Sequence, residues 1–119
     1  MRAEELKGHL DAVLLAALEG GPRHGYAVIE ALRQSTDGRL DLPTGTIYPA
    51  LRRLEQAGLI AGTWSVVGGR RRREYQLTPA GIRALSGRRA AWRDFSATVT
   101  AALERATLED TACPSPNPA

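Results

Sequence analysis

The spacing of apolar residues changes at Leu59, and this change limits the possible folds more than any other feature of the sequence. Over residues 10–18, apolar side chains recur at the i, i+3, i+4, i+7 and i+8 positions of one buried helical stripe. Over residues 59–66 they alternate with small or polar residues, which is the period of a strand. Gly68-Gly69 permits a tight turn, and a return strand is predicted over about residues 72–77. The sequence therefore predicts helices followed by a β-hairpin.

Two more helices are predicted between these segments. Gly20-Gly21-Pro22 ends the first helix, because two flexible residues and a proline without an N–H cannot continue its hydrogen bonds. The second helix is predicted over about residues 24–35. The third is predicted to begin near Thr44 or Thr46, either of which can cap its free N–H groups, and to end at Ala57-Gly58. The third helix buries Ile47, Leu51 and Leu54. Its other faces are polar, aromatic and cationic, and they carry Thr44, Thr46, Tyr48, Arg52, Arg53 and Gln56.

A long last helix is predicted to begin at Thr78-Pro79, an N-cap followed by proline at the first helical position, and to reach about Ala106. Its apolar residues recur at nearly the spacing of a heptad stripe, which Gly87 and Arg88 weaken. A stripe of this kind favours a partner helix. Its members are Leu85, Trp92, Phe95, Val99, Ala102 and Ala106.

The net charge of +3 conceals an uneven distribution. Residues 1–40 carry 5 basic and 6 acidic side chains, residues 41–93 carry 10 and 3, and residues 94–119 carry 1 and 4. Fifteen of the sixteen basic residues are arginine, whose guanidinium binds phosphates and guanine edges through paired hydrogen bonds. The basic middle of the chain indicates a polyanionic partner; a solvated surface whose arginines reflect genomic base composition is the alternative.

Other functional classes find little support in the sequence. One cysteine and two histidines cannot form an internal disulfide or a Cys/His zinc site, and no motif places a nucleophile beside a base. The longest apolar run, residues 12–18, is far too short to cross a bilayer, and no basic segment of a signal peptide precedes it. We therefore expect an intracellular, cytoplasmic protein that is not an enzyme and has neither metal nor cofactor.

The order of the predicted elements is that of a winged helix-turn-helix, in which the third helix enters the DNA major groove and the hairpin reaches the flanking backbone. We therefore expect a mainly α protein with a small β-hairpin, of the α+β class. Its expected parts are a winged helix-turn-helix DNA-binding domain over residues 1–78, a C-terminal dimerisation helix over residues 79–107 and a disordered tail over residues 108–119.

Three motifs between residues 10 and 81 resemble the PadR family of bacterial transcriptional regulators. They are Leu14-Leu15 through Gly21-Pro22-Arg23-His24-Gly25-Tyr26, then Gly45-Thr46-Ile47-Tyr48-Pro49-Ala50-Leu51-Arg52-Arg53-Leu54-Glu55 with Gly58-Leu59-Ile60, and Arg73-Glu74-Tyr75-Gln76-Leu77-Thr78-Pro79-Ala80-Gly81. The single C-terminal helix is similar to that of the small subfamily. The resemblance implies a homodimeric repressor, joined through its first and last helices and released from operator DNA by a small planar aromatic or phenolic molecule.

The candidate DNA contacts come from three segments. On the third helix the hydroxyls are expected to face phosphates and an arginine a guanine edge; a solvated face with Tyr48 packed inward is the alternative. The arginines at the hairpin tip are expected to face phosphates or the minor groove. His24, at the start of the second helix, could contact a phosphate or simply cap the helix. The residues are Arg23, His24, Tyr26, Thr44, Thr46, Tyr48, Arg52, Arg53, Arg70, Arg71, Arg72 and Arg73.

Trp92 is the candidate ligand residue. Two symmetry-related tryptophans could stack a flat aromatic molecule, with Ala12, Leu15 and Ala16 lining the pocket; a tryptophan packed in the dimer seam is the alternative. The residues expected in the dimer interface are Leu10, Leu14, Leu85, Phe95, Val99, Ala102 and Leu103.

A second function remains open at this stage. The same winged helix could serve as a protein-interaction module whose basic block binds an acidic partner. In that case DNA should not compete with the partner for the surface around Tyr48 and Arg52.

Overall fold

The computed structural model describes Leu6 and residues 8–112, with side chains described as far as residue 105. The chain is mostly helical and has one three-stranded antiparallel sheet in the order β1-β3-β2, which confirms the expected fold class. The elements are α1 (Leu10–Ala17), β1 (Arg23–His24), α2 (Gly25–Ser35), α3 (Thr44–Gln56), β2 (Ile60–Val67), β3 (Arg70–Leu77) and α4 (Pro79–Ala112).

The chain divides into two compact units, Met1–Ser86 and Gly87–Ala119. The first unit has an apolar core to which α1, α2, α3 and the sheet all contribute, and the beginning of α4 joins it through the buried Leu85. This division falls later than the boundary predicted at residue 78. The fully buried side chains of the core include Leu14, Leu15, Val28, Ile47, Leu51, Leu54 and Ile60.

The sheet differs from the predicted hairpin in two respects. Arg23 and His24 form the extra strand β1 against Tyr75 and Glu74 of β3, because the chain is extended just before α2 begins. A two-residue strand is too short to show a period in the sequence. Strand β3 begins at Arg70, because Gly68 and Gly69 adopt the left-handed conformation of a tight hairpin turn and pairing starts at once.

Two helix ends also differ from expectation. Pro43 occupies the N-cap of α3 and no side chain caps it, so Thr44 and Thr46 lie inside the first turn. Helix α4 extends to Ala112 rather than about Ala106, so the tail predicted from residue 108 is helical at its start. No glycine or proline interrupts the sequence between Gly87 and the proline at position 114, so nothing in it ends the helix at residue 106. The rest of the predicted tail, residues 113–119, lies outside the described residues.

Thr78 joins α4 to the end of α3, and its predicted role as N-cap is confirmed. Its hydroxyl accepts a hydrogen bond from the Gly81 N–H at 3.1 Å and donates one to the Gly58 carbonyl at 2.7 Å. Its own N–H donates to the Leu59 carbonyl at 3.1 Å. These bonds close the base of the hairpin and hold it beside the C-terminal end of α3.

Gly25 allows α2 to approach the Tyr48 ring of α3 closely. A Cβ at position 25 would lie 2.5 Å from Tyr48 Cε1 and 2.9 Å from its hydroxyl oxygen. Because carbon atoms do not approach this closely, any larger residue would displace the Tyr48 ring. Gly25 therefore fixes where this aromatic side chain lies.

We predict that Gly25→Ala lowers the free energy of unfolding by about 0.5–1.5 kcal/mol, because the exposed Tyr48 ring must leave its preferred rotamer to admit the added methyl. In a Tyr48→Ala background the same change should cost close to zero, because the ring is gone. Urea unfolding of the four proteins in a double-mutant cycle measures this coupling. Equal costs in the two backgrounds would contradict the assigned contact.

Candidate nucleic-acid interface

Helix α3 is anchored by one apolar face, which determines what the opposite face presents to solvent. Ile47, Ala50, Leu51 and Leu54 are buried at this face, spaced by the helical period. Tyr48 and Arg52, one turn apart on the outer surface, are exposed. A helix with a buried stripe and a cationic, aromatic outer face has the form of a recognition helix.

All four arginines predicted at the hairpin tip lie within strand β3, where only Arg72 and Arg73 were expected in the strand, so successive side chains point to opposite faces of the hairpin. In the antiparallel register Arg73 lies opposite Trp64, and Arg71 lies opposite Val66. The guanidinium carbons of Arg71 and Arg73 lie 4.6 Å and 5.3 Å from the centroid of the Trp64 ring. One indole therefore stacks with both cations of this face.

An open groove of about 640 Å³ brings the outer face of α3 together with these strand arginines. The start of α2 forms another part of its wall. The groove contains seven of the twelve predicted DNA contacts together with four residues that were not predicted. Its lining residues are His24, Gly25, Tyr26, Tyr48, Arg52, Glu55, Trp64, Arg71, Arg72, Arg73 and Tyr75.

Arg73 is paired with an acid of the recognition helix. Its Nη2 donates to Glu55 Oε2, and both side chains are less than one-third exposed. This hydrogen bond raises the pKa of Arg73 above its ordinary value. Beside it, burial raises the pKa of the Tyr75 phenol above its ordinary value. Arg73 is thus a cation that already has an anionic partner within the chain.

His24 caps α2 and also faces Arg72. Its Nδ1 accepts a hydrogen bond from the Ala27 N–H at 3.3 Å, and its Nε2 lies 3.0 Å from Arg72 Nη1. A neutral imidazole has one acceptor nitrogen, so only one of these contacts can be a hydrogen bond at a time. While His24 caps the helix, Arg72 can donate to another acceptor.

Five predicted contacts do not line the groove. Arg23 Nε donates to the Ala17 carbonyl at 2.8 Å, which ties it to the end of α1. Arg53 Nη2 lies 2.7 Å from Asp11 Oδ1, so this arginine pairs with α1. The other three residues absent from the groove lining are Thr44, Thr46 and Arg70.

The residues predicted to form the dimer and ligand surfaces have very different exposures. Leu14, Leu15 and Leu85 lie in the core of the first unit, where they cannot also face a second copy or a ligand. Leu10, Ala12 and Ala16 are half-buried. On α4, Ala102 is exposed, as are the large side chains of Trp92 (51%), Phe95 (58%), Val99 (38%) and Leu103 (66%). The rings of Trp92 and Phe95 lie 5.9 Å apart.

Sequence reasoning missed Gly25, Glu55, Trp64 and Tyr75 as parts of this site. The sequence places Trp64 in an alternating strand, Tyr75 in the return strand and in a motif, and Gly25 and Glu55 in motifs, without indicating that they line one site. The antiparallel register of residues 60–67 with 70–77 would have placed Trp64 opposite Arg73. No local signal indicated the pairing of Arg73 with Glu55, eighteen residues earlier.

Within the described part of the chain, no group of His, Cys, Asp or Glu residues could hold a metal ion. The helices described there also include none with the length and apolar character needed to cross a membrane.

Solved structures resemble this fold over most of the chain. A transcriptional regulator from Clostridium thermocellum has a TM-score of 0.75 and 27% identity, covering 82% of this chain and 95% of its own. A PadR family transcriptional regulator from Eggerthella lenta has a TM-score of 0.74 and 33% identity, covering 86% of this chain and 88% of its own.

Sequence comparisons give the same assignment. A transcriptional regulator of Mycobacterium tuberculosis is 40% identical over 74 residues, which are 62% of this chain and 56% of that protein. The chain thus spans about half the length of this curated relative. The model of the transcriptional regulator PadR-like family matches residues 14–87, more than half of the chain. The chain therefore belongs to the PadR-like family of transcriptional regulators, which bind DNA.

Proposed function

We propose that this chain is a homodimeric repressor that binds operator DNA with the groove between α3 and the hairpin. The observation that carries the proposal is that Arg52 of α3 and Arg71 and Arg72 of β3 line the same groove. Cations from two separate elements that meet at one surface suit a duplex, whose groove edges and phosphates are contacted together.

The position of each side chain indicates whether we assign it to a base edge or to a phosphate. Arg52 lies on the outer face of the recognition helix, where a guanidinium can read a guanine edge through O6 and N7. Arg71 and Arg72 are exposed on opposite faces of a two-stranded ribbon and suit the phosphates of the backbone. Tyr48 supports the helix side of the groove with its hydroxyl available to a phosphate.

We predict that Arg52→Gln lowers affinity for a selected duplex by about 1–3 kcal/mol and relaxes the choice of base, because one bidentate base contact is lost. Arg71→Gln combined with Arg72→Gln should weaken all duplexes alike. It should also reduce the salt slope, the slope of log affinity against log salt concentration, by about 2 per protomer. The assay is fluorescence anisotropy with a duplex selected from a random library and a scrambled duplex, across a salt series.

Arg83→Gln is the matched control, because it removes the same charge from an exposed position that does not line the groove. It should leave both the affinity and the salt slope unchanged. Wild-type affinity that did not fall between about 50 and 200 mM salt would rule out a phosphate-gripping surface.

The proposed dimer rests on the exposed apolar stripe of α4. Phe95, Val99 and Leu103 follow one another at intervals of four residues, and Trp92 precedes them by three, so they share one face of the helix. A stripe of large apolar side chains on a monomer surface typically marks an association site, and a second α4 would match its length and spacing.

We predict that Phe95→Glu converts the dimer to a monomer, because a carboxylate would be buried without a partner in the seam. Analytical ultracentrifugation gives the mass directly. Ala101→Glu introduces the same side chain on the opposite face of α4 and should remain dimeric. A wild-type chain that sediments as a monomer at micromolar concentration would eliminate the dimer.

We also propose that a planar aromatic molecule stacks on Trp92 and releases the repressor from DNA. The half-exposed indole, close to the Phe95 ring, offers a flat face for such a ligand.

In a Trp64→Phe background, where Trp92 supplies all tryptophan fluorescence, p-coumarate or an acridine dye should quench that emission. Dissociation of DNA by the same compound, measured with Trp64 retained, should disappear in Trp92→Ala. Ligand-induced release that survives Trp92→Ala would place the effector elsewhere.

A further inference from the structure

An acidic residue within a surface proposed to grip a polyanion requires an explanation. Glu55 lines the groove together with four arginines, and residues 41–93 carry only 3 acids against 10 basic side chains. Electrostatics alone makes a carboxylate at a DNA-binding surface unfavourable, because it repels phosphates. Glu55 must therefore be offset by an interaction within the protein.

The contact between Glu55 and Arg73 crosses from the recognition helix to strand β3. Their side chains are 27% and 30% exposed, so the pair is shielded from much of the solvent. Exposed ion pairs contribute little to stability, whereas shielded, hydrogen-bonded pairs hold a geometry more strongly. Because Arg73 Nη2 already donates to Glu55, this guanidinium is partly satisfied before any nucleic acid arrives.

Gly62 of β2 leaves the space in which this ion pair lies. A Cβ at position 62 would be 2.7 Å from Arg73 Nε, 2.9 Å from its Cζ and 2.9 Å from Glu55 Oε2. Both charged groups would have to move to admit even a methyl group. The absence of a side chain at position 62 thus leaves room for the carboxylate and the guanidinium together.

Trp64 extends the connection to Arg71. The guanidinium of Arg73 is 5.3 Å from the indole centroid, and that of Arg71 is 4.6 Å from the same centroid. Glu55, Arg73, Trp64 and Arg71 therefore form a continuous series of contacts from α3 to the outer part of the hairpin. Among the residues that the structure describes, Arg71 has the Trp64 ring as a neighbour and no carboxylate in a salt bridge, so its charge is left for an external partner.

We propose that Arg73 is a positioning residue that does not bind phosphate. With Glu55, Gly62 and Trp64, it fixes the hairpin against α3 so that Arg71 and Arg52 meet one duplex at a set spacing. The inference rests on the proposed DNA-binding function and assigns a role within it. It separates Arg73 from Arg71 and Arg72, with which it forms one run in the sequence.

The test compares single variants on the selected duplex across a salt series. Arg71→Gln should reduce the salt slope by about 1 per protomer. Arg73→Gln removes the same charge but should leave the slope unchanged, while affinity for the selected duplex falls roughly tenfold or more and affinity for the scrambled duplex changes little. Circular dichroism and thermal unfolding establish that each variant is folded.

Glu55→Gln separates two explanations of this residue, because they predict opposite changes in affinity for DNA. If the carboxylate only repels DNA, its removal tightens binding to every duplex; if it positions Arg73, affinity for the selected duplex falls as in Arg73→Gln. The double variant should then be no worse than either single variant, because both remove one interaction. Glu74→Gln is the control, since it removes the same charge from the opposite face of β3.

Gly62→Ala tests the same contact without altering any charge. It should weaken the selected duplex and leave the salt slope at the wild-type value, and this variant decides the question if Arg73→Gln fails to fold. This inference is overturned, while the proposed function stands, if the salt slope falls as far in Arg73→Gln as in Arg71→Gln. Tighter DNA binding by Glu55→Gln has the same consequence. A wild-type protein that selects no duplex overturns the proposed function and this inference with it.

Discussion

The burial of one face of α3 is the constraint on which the rest of this structure depends. Ile47, Leu51 and Leu54 are almost inaccessible to solvent, and each is worth roughly 1.5–3 kcal/mol of hydrophobic stabilisation. Once this face is fixed, the helical period leaves Tyr48 and Arg52 no orientation except outward. The core therefore sets the chemistry of the outer surface, and the same residues that stabilise the fold aim the side chains proposed to read DNA.

The position of the hairpin follows from its attachment to the end of α3. Thr78 binds the carbonyls of Gly58 and Leu59, so both strands leave the core at one point beside the helix. Register then places Trp64 and Arg73 on the face that includes buried Tyr75. Strand β3 starts in solvent and ends at the core, so it carries cations near the hairpin tip and Tyr75 and Leu77 at its base.

The sequence was sufficient for features with local causes. The α3 stripe and the Thr78 cap both depend on neighbouring residues, and both appear as predicted. The sequence predicts which helix faces are buried, but it does not predict which chain covers them. Leu14 and Leu85 have the spacing of interface residues, yet they are buried in the chain's own core, because periodicity shows which face is apolar and not which chain covers it. The pairing of Arg73 with Glu55 was beyond local reasoning, since it depends on how far the hairpin folds back over α3.

The central claim is that guanidinium groups from α3 and from the hairpin contact one duplex together. Side-chain Nε–Hε NMR signals of the arginines, recorded during titration with the selected duplex, test it most directly. The account predicts that the signals of Arg52, Arg71 and Arg72 shift in parallel with one binding curve, while that of Arg33, paired with Glu30 on α2, does not move. Shifts of the hairpin arginines without Arg52, or of Arg33 to the same extent, would contradict a shared interface.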